Sequence, residues 1–230
     1  MRKYKALVTS FLFIMMLVLL GLNYIWEDSY LGFSFGLVLL ALFLFLFRFE
    51  TRKVEPRELV LLAVLASIAA VGRIPFASLP SVQPTTFVIM MSGYVFGAES
   101  GFVIGAVAAL ASNMIMGQGP WTPWQMVAWG LVGLTAGLLR NTLLMKRRWG
   151  QIVFGVIWGY LFGWIMNLWG FIALIQSGGS QTWKAFIVYM IGSATFDTFH
   201  AISNVFFLVV FGGIWIKILS RFKRKYGLLE

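Results

Sequence analysis

The chain has 230 residues, of which 60% are hydrophobic and 11% are charged. Soluble domains average about 45–50% apolar and about 25% charged residues, so this composition excludes a soluble domain. The chain carries a formal net charge of +10, has no cysteine and has one histidine, His200. These counts exclude a disulfide framework, a thiolate metal site and a site built from several imidazoles.

Uncharged stretches long enough to cross a membrane run through the whole sequence. A spanning helix needs about 20 mainly apolar residues, and Gly and Pro at 117–120 and 123 divide the longest stretch. The sequence therefore predicts an all-α polytopic membrane protein with about eight transmembrane helices. They cover residues 6–25, 30–48, 58–74, 84–97, 100–117, 124–140, 150–176 and 184–220. We expect Gly192 to kink the last of them.

The basic residues lie almost entirely on one side of these predicted spans. Sixteen of the eighteen Lys and Arg residues fall on the side of the N-terminus, and only Arg73 and Lys184 fall on the other. Cytoplasmic segments of membrane proteins carry such an excess of cations. The charge therefore predicts cytoplasmic N- and C-termini, and it is explained without nucleic-acid binding.

The N-terminal residues superficially resemble a secretory signal, because Met-Arg-Lys-Tyr-Lys precedes an apolar run. A small-residue cleavage pattern is missing, and Trp26-Glu27-Asp28 is typical of a helix end at the membrane interface. We therefore expect a retained helix. The charged linker 48–58 predicts two units, an N-terminal transmembrane hairpin (1–50) and a six-helix unit (51–230).

Small residues recur at a spacing of four, which lets helix backbones approach closely inside a membrane. The glycines at this spacing predict internal packing; they are Gly93, Gly97, Gly101 and Gly105, then Gly133 and Gly137, then Gly155, Gly159 and Gly163. Ala63, Ala66 and Ala70 concentrate small side chains in the third span. This second group is explained either by internal packing or by a docking face for another membrane protein.

The polar side chains within the predicted spans collect in the outer half of the membrane. His200 and Asn204 follow Asp197 by three and seven residues, so the three side chains share one helix face. Polar groups in a membrane usually line a cavity or pair with each other, and tryptophans add flat apolar walls. The distribution favours a ligand pocket open to the outside, although interface anchoring of the tryptophans and bonding of the asparagines between helices explain each residue singly. The predicted ligand-facing residues are Arg73, Gln83, Asn113, Gln118, Trp121, Trp124, Gln125, Trp164, Asn167, Asp197, His200 and Asn204.

The sequence contains no motif for ATP use or metal-assisted hydrolysis. It has no G-x-x-x-x-G-K-[ST] segment, and H-E-x-x-H cannot occur with one histidine. Ser193 and His200 are seven residues apart, which is roughly 10 Å along one helix and beyond hydrogen-bond reach. Asp197 is the single deep acid, and we expect it to pair with His200 or Arg73. Binding from outside without an energy source of its own indicates a partner protein.

Three motifs in the six-helix unit carry a resemblance to a known family. They are Ser92-Gly-Tyr-Val-Phe-Gly97, Gly119-Pro-Trp-Thr-Pro-Trp-Gln125, and Asp197-x-x-His200-Ala-x-x-Asn204. With the small-residue helix that precedes them, they make residues 58–220 similar to the substrate-binding S components of energy-coupling factor (ECF) transporters. The last two motifs look most like the cobalamin-type branch.

The resemblance implies a transport subunit that is not an enzyme and has no cofactor or metal of its own. Such proteins sit in the plasma membrane of prokaryotes and bind a vitamin, here cobalamin, at the outer face under three loops, which correspond to 73–84, 117–124 and 177–184. They dock through an AxxxA helix, here Ala66 and Ala70 with Ala63 beside them, onto a transmembrane coupling protein that sits on two cytosolic ATPases. ATP use is thought to topple the S component and carry the vitamin inward. The family's basic unit has six helices, so the role of the N-terminal hairpin stays open.

Other readings of the same residues predict different behaviour. An S component for another vitamin, such as riboflavin, folate or pantothenate, would share the architecture. A membrane enzyme would use Asp197 and His200 as an acid–base pair, and a structural subunit would bind no ligand. His200 is expected to be a hydrogen-bonded structural residue, with ligation of cobalt as the alternative.

Overall fold

The computed structural model describes residues 55–226 and the isolated positions 36, 39, 40 and 43. In this part of the chain the regular structure is entirely helical. The helices are α1 (Pro56–Val71), α2 (Thr85–Phe96), α3 (Ala98–Met116), α4 (Thr122–Leu139), α5 (Leu143–Lys146), α6 (Arg148–Gln176), α7 (Trp183–Gly192) and α8 (Ala194–Tyr226). A short 3₁₀ turn, Ile74–Phe76, follows α1. The prediction of an all-α membrane protein is confirmed. Apart from those four isolated positions, the predicted N-terminal hairpin lies outside the described residues and stays a prediction.

Local sequence signals explain where several helices begin. Pro56 occupies the first turn of α1, and the backbone N–H of Glu55 donates to Oε2 of Glu58 (3.3 Å) in a capping box. Thr182 caps α7 by accepting from the backbone N–H of Ala185 (3.2 Å). Each predicted span from residue 58 onward corresponds to one or two of these helices.

Four of the described helices are long and apolar enough to cross a membrane, and α2 and α7 are shorter apolar helices. At 1.5 Å per residue, the 29 residues of α6 extend about 43 Å, more than the roughly 30 Å hydrocarbon core of a bilayer. The outer surface carries large exposed apolar side chains, including Met114, Leu143 and Trp183. Lipid accommodates such a surface, whereas water does not.

Helix α2 is the centre of the bundle. Every one of its residues except Tyr94 is buried, because α3, α4, α8 and α1 surround it. A helix that is apolar on all sides is stable only when it is enclosed in this way. The predicted glycine packing occurs here: a Cβ on Gly93 or Gly101 would overlap the backbone of Gly133.

Helices α7 and α8 together make one pass alongside α6. This pass runs antiparallel to α6. The Phe171 and Tyr189 rings are 5.7 Å apart near one end, and Asn204 bonds to the Gly155 carbonyl (2.9 Å) further along. The chain breaks its helix at Ser193, next to the predicted kink at Gly192. The single predicted span 184–220 is therefore two helices in one direction.

Candidate ligand-binding site

Arg73 follows the end of α1 by two residues, and its guanidinium bonds to three polar side chains. Its Nε donates to Oε1 of Gln83 (2.9 Å), and its Nη1 donates to Oγ of Ser112 (2.7 Å) and Oδ1 of Asn113 (3.0 Å). These bonds tie the α1–α2 loop to the outer end of α3. All three partners are uncharged, so they satisfy the guanidinium donors without neutralising its charge.

Asn113 extends this cluster to α4. Its Nδ2 donates to Oε1 of Gln125 (2.7 Å) and to Oγ1 of Thr122 (3.1 Å). Thr122 in turn donates to Oε1 of the exposed Gln118 (2.9 Å). Four residues predicted from the sequence, Arg73, Gln83, Asn113 and Gln125, thus form one network, and Gln118 joins it through Thr122.

A second branch of the network runs from Arg73 to α8 through a buried tryptophan. The Cζ of Arg73 lies 4.8 Å from the ring centroid of Trp129, which is cation–π distance. The indole Nε1 of Trp129 donates to Oγ1 of Thr86 (3.1 Å), and this hydroxyl lies 2.7 Å from Nε2 of His200. Phe162 packs edge-to-face on the imidazole at 5.1 Å. The imidazole is therefore hydrogen-bonded to Thr86 and packed against Phe162, and its role stays a prediction.

The loop between α1 and α2 is anchored on α8. Ser203 accepts from the backbone N–H of Gln83 (3.0 Å) and donates to the carbonyl of the same residue (3.2 Å). Phe76 packs edge-to-face on Phe207 with ring centroids 5.8 Å apart. This loop therefore covers the network and bridges α3 and α8. We call Arg73, Gln83, Thr86, Ser112, Asn113, Gln125, Trp129 and His200 the outer network.

Asn167 and Asp197 form a separate cluster at the junction of α7 and α8. The Nδ2 of Asn167 donates to Oγ of Ser193 (2.6 Å), and that hydroxyl donates to Oδ2 of Asp197 (2.8 Å). The Asp197 carboxylate lies against Gly163, where any side chain would overlap it. The expected pairing of Asp197 with His200 or Arg73 is wrong, because the carboxylate bonds to the hydroxyl one helical turn away.

The polar face predicted on α8 is present, but its members meet different neighbours. Asp197, His200 and Asn204 are all buried. Asn204 donates from Nδ2 to the carbonyl of Gly155, and among the described residues its Oδ1 has no hydrogen-bond partner. Because Asp197 and His200 are engaged on Ser193 and Thr86, they are not arranged as an acid–base pair.

The predicted tryptophans separate into three environments. Trp121 packs edge-to-face on Trp169 with centroids 5.8 Å apart, and the buried Nε1 of Trp169 has no hydrogen-bond partner among the described residues. Trp124 packs against the small cluster of Phe102 and neighbouring residues of α3. Trp164 is 47% exposed on α6. Of the three, Trp121 is therefore the one that lies on an outer loop beside an indole N–H that has no hydrogen-bond partner among the described residues.

The AxxxA pair of α1 does not face outward. Ala66 is 2% exposed and Ala70 is 3% exposed, because this face of α1 packs on α3 and α2. Internal packing therefore explains these two residues in this structure, and the docking role expected for them stays a prediction. Ala63 and Ser67 are exposed and are also four residues apart.

The list of predicted ligand-facing residues omitted the hydroxyl groups and the tryptophan that connect the network. Hydrogen bonds to a predicted residue or to its backbone come from Thr86, Ser112, Ser193 and Ser203. The ring of Trp129 packs on the Arg73 guanidinium. A signal existed for some of them, since Ser112 directly precedes Asn113 and Ser193 is four residues before Asp197. Hydroxyls in membrane helices are common, however, and they bond equally well to their own backbone.

Comparison with known proteins decides the family. The model of the ECF transporter substrate-specific component matches residues 57–212, which is more than half of the chain. The chain belongs to this family. The match covers the whole outer network and all helices from α1 to the middle of α8. The family consists of transporter subunits and not of enzymes.

Two curated relatives are UPF0397 proteins of Aliivibrio salmonicida and Vibrio atlanticus. The first is 26% identical over 97 residues, which is 40% of this chain and 51% of the relative. The second is 25% identical over 100 residues, 41% of this chain and 53% of the relative. The chain therefore aligns with about half the length of these relatives. No solved structure matches this S component.

Proposed function

We propose that this S component binds cobalamin or a related corrinoid at the outer end of the bundle and delivers it inward as part of an ATP-driven ECF uptake transporter. The observation that carries the proposal is the outer network, in which buried polar side chains from α2, α3, α4 and α8 converge beneath the loop that holds Gln83. Small-molecule sites typically combine an apolar wall with a few convergent polar groups.

The chemistry of the network fits a large ligand that carries amides and an anionic group. Gln83, Asn113 and Gln125 offer amide donors and acceptors, which complement the amide side chains around a corrin ring. Arg73 carries a positive charge that its recorded partners leave unneutralised, so it is suited to the phosphodiester of a corrinoid. Trp121 and Trp169 provide flat surfaces and an indole donor at the same end.

Ligand binding would exchange bonds within the network for bonds to the ligand. Arg73 bonds to Gln83 on the covering loop, and that loop is held on α8 by Ser203. Lifting the loop would free the Nε of Arg73 and the backbone groups of Gln83 together. A ligand that satisfies the freed groups compensates for their lost hydrogen bonds, whereas a ligand without matching groups leaves them unpaired. This exchange would give the site its selectivity.

The proposed partners are a transmembrane coupling protein and two cytosolic ATPases, which supply the energy for toppling. The exposed side of α1 is the proposed docking surface, with Val60, Ala63, Val64 and Ser67 at its centre. Ala63 and Ser67 have the spacing that lets two membrane helices approach closely. The proposal therefore moves the docking contact by one face of the helix, away from the buried Ala66 and Ala70.

The identity of the ligand is tested by titrating the purified protein in detergent with cobalamin, riboflavin, folate, thiamine, biotin and pantothenate. We expect tight binding of cobalamin. We also expect protein purified without added ligand to show the absorbance of a retained corrinoid. Tight binding of another vitamin with no affinity for cobalamin would retain the S-component function and overturn the corrinoid assignment. Binding of none of the six would contradict the vitamin proposal as a whole.

A further inference from the structure

A pocket lined by cations lies at the opposite end of the bundle from the outer network. It has a volume of about 280 Å³ and lies between the end of α2, the corner between α4 and α5, and the last turns of α8. Four positively charged side chains line it together with an amide and a hydroxyl: Arg140, Lys146, Lys223, Arg224, Asn141 and Ser220. We call this the inner basic pocket.

The charges of this pocket are only partly engaged by the protein. Lys223 donates from Nζ to the carbonyl of Val95 (3.1 Å) in the last turn of α2, where the helix dipole favours a cation. No hydrogen bond or ion pair is recorded for Arg140, Lys146 or Arg224 among the described residues. The lining contains no carboxylate. Like charges brought together in this way repel, so an anion in the pocket lowers their energy.

The surroundings of the pocket favour an anion attached to a lipid. Tyr94 lines the pocket and is the one residue of α2 that is not buried, and tyrosine is enriched where a membrane meets water. Leu143, at the α4–α5 corner, is 78% exposed, and Phe222 of α8 is also exposed. These apolar side chains provide a surface for acyl chains next to the cations. A soluble anion would use the cations alone.

We propose that the inner basic pocket binds the phosphate of an anionic phospholipid. Basic pockets between membrane helices on the cytoplasmic side recognise lipid headgroups through this combination of cations and polar donors. The cations come from helix segments distant in sequence, so a bound headgroup links the end of α8 to the α4–α5 corner. The proposal does not depend on the ligand of the outer network.

The test compares two double variants that remove the same charge. The first is Lys146→Gln with Arg224→Gln, and both residues line the pocket. The control is Arg147→Gln with Arg221→Gln, whose positions are close in sequence but outside the lining. Native mass spectrometry of each purified protein is carried out with phosphatidylglycerol, with phosphatidylcholine and with inorganic phosphate alone.

We expect the wild-type protein to retain phosphatidylglycerol at least fivefold more than phosphatidylcholine. The pocket variant should lose this preference, and the control should keep it within twofold. Equal loss in both variants would show attraction by net charge and overturn the proposal. Inorganic phosphate that binds as tightly as the lipid and displaces it would also overturn it, in favour of a soluble anion. If the double variant does not fold, Lys146→Gln against Arg147→Gln decides the same question, with a twofold to threefold loss expected for Lys146→Gln alone.

Discussion

The helices α2, α3 and α4 are held together differently from the pair α6 and α8. In the first group backbones touch: Gly93 and Gly101 both meet the backbone of Gly133. In the second, Gly159 meets the backbone of Ala201, but Gly155 meets the flexible Leu208 side chain, with Cδ1 2.6 Å from the position of a Cβ. The α3 span is 56% buried, whereas the α6 span is 28% buried. The protein therefore joins a closely packed unit to a less buried pair, α6 and α8, which combines a backbone contact at Gly159 with an adjustable side-chain contact at Gly155.

The outer network spans both parts, and this division is relevant to its function. Asn113 and Gln125 lie on the closely packed unit, while His200 and the Ser203 anchor of the covering loop lie on α8. Packed helices hold amides in a fixed arrangement, which supports selective binding. Movement of α8 would release the loop and leave the amide arrangement unchanged.

The largest expected effect comes from breaking the backbone contact of the closely packed unit. In Gly133→Ala the new Cβ overlaps the carbonyl of Gly101, and neither backbone can move without its helix. We expect a loss of about 3 kcal/mol or more in the free energy of unfolding, measured as thermal unfolding in detergent. Gly213→Ala on α8 is the control, because nothing lies within 4 Å of its Cβ; equal stability of the two variants would contradict the packing contrast.

Two alanines of α1 extend the comparison to the docking surface. Ala66→Trp places a large ring against α3, so we expect a loss of about 3 kcal/mol or failure to fold. Ala63→Trp lies on the exposed face, so this variant should fold and bind ligand normally but no longer co-purify with the coupling protein. Normal assembly and transport by a folded Ala63→Trp protein would remove the docking assignment from this face.

Asn113→Leu tests the part of the network on the closely packed unit. The substitution removes one of the three partners of the half-buried Arg73 and leaves the buried Gln125 without its bond to Asn113. We expect a loss of about 2 kcal/mol in stability and a larger loss of ligand affinity. Gln176→Leu is the matched control at an exposed amide outside the network. Similar affinities for the two variants would place the ligand elsewhere.

A smaller effect is expected from Gly155, the α6 glycine that faces a flexible side chain of α8. In Gly155→Ala the nearest atom is the end of the Leu208 side chain, which can change its rotamer. We expect a loss of about 1 kcal/mol or less in thermal unfolding experiments. A loss as large as that of Gly133→Ala would show that the Gly155 contact is as rigid as the backbone contacts of the central helices.

Much of this architecture was predictable, because membrane helices are long apolar segments separated by charges and by Pro or Gly. The turn between α3 and α4 and the glycine contacts both follow from such signals. The outward face of α1 could not be predicted, since apolar residues surround that helix and Ala63 resembles Ala66 in sequence. Which group Asp197 bonds to was also beyond the sequence: the expectation named His200 and Arg73, whereas the fold brings the Ser193 hydroxyl to the carboxylate.

The central claim is that the outer network around Arg73 is the ligand site of this S component. Its most direct test is calorimetric titration of the identified vitamin into the wild-type protein, Arg73→Gln and Lys184→Gln. Both variants remove one cation predicted on the outer side, but Lys184 is exposed and has no part in the network. We predict at least tenfold weaker binding for Arg73→Gln and unchanged binding for Lys184→Gln. Unchanged binding by a folded Arg73→Gln protein would contradict the account.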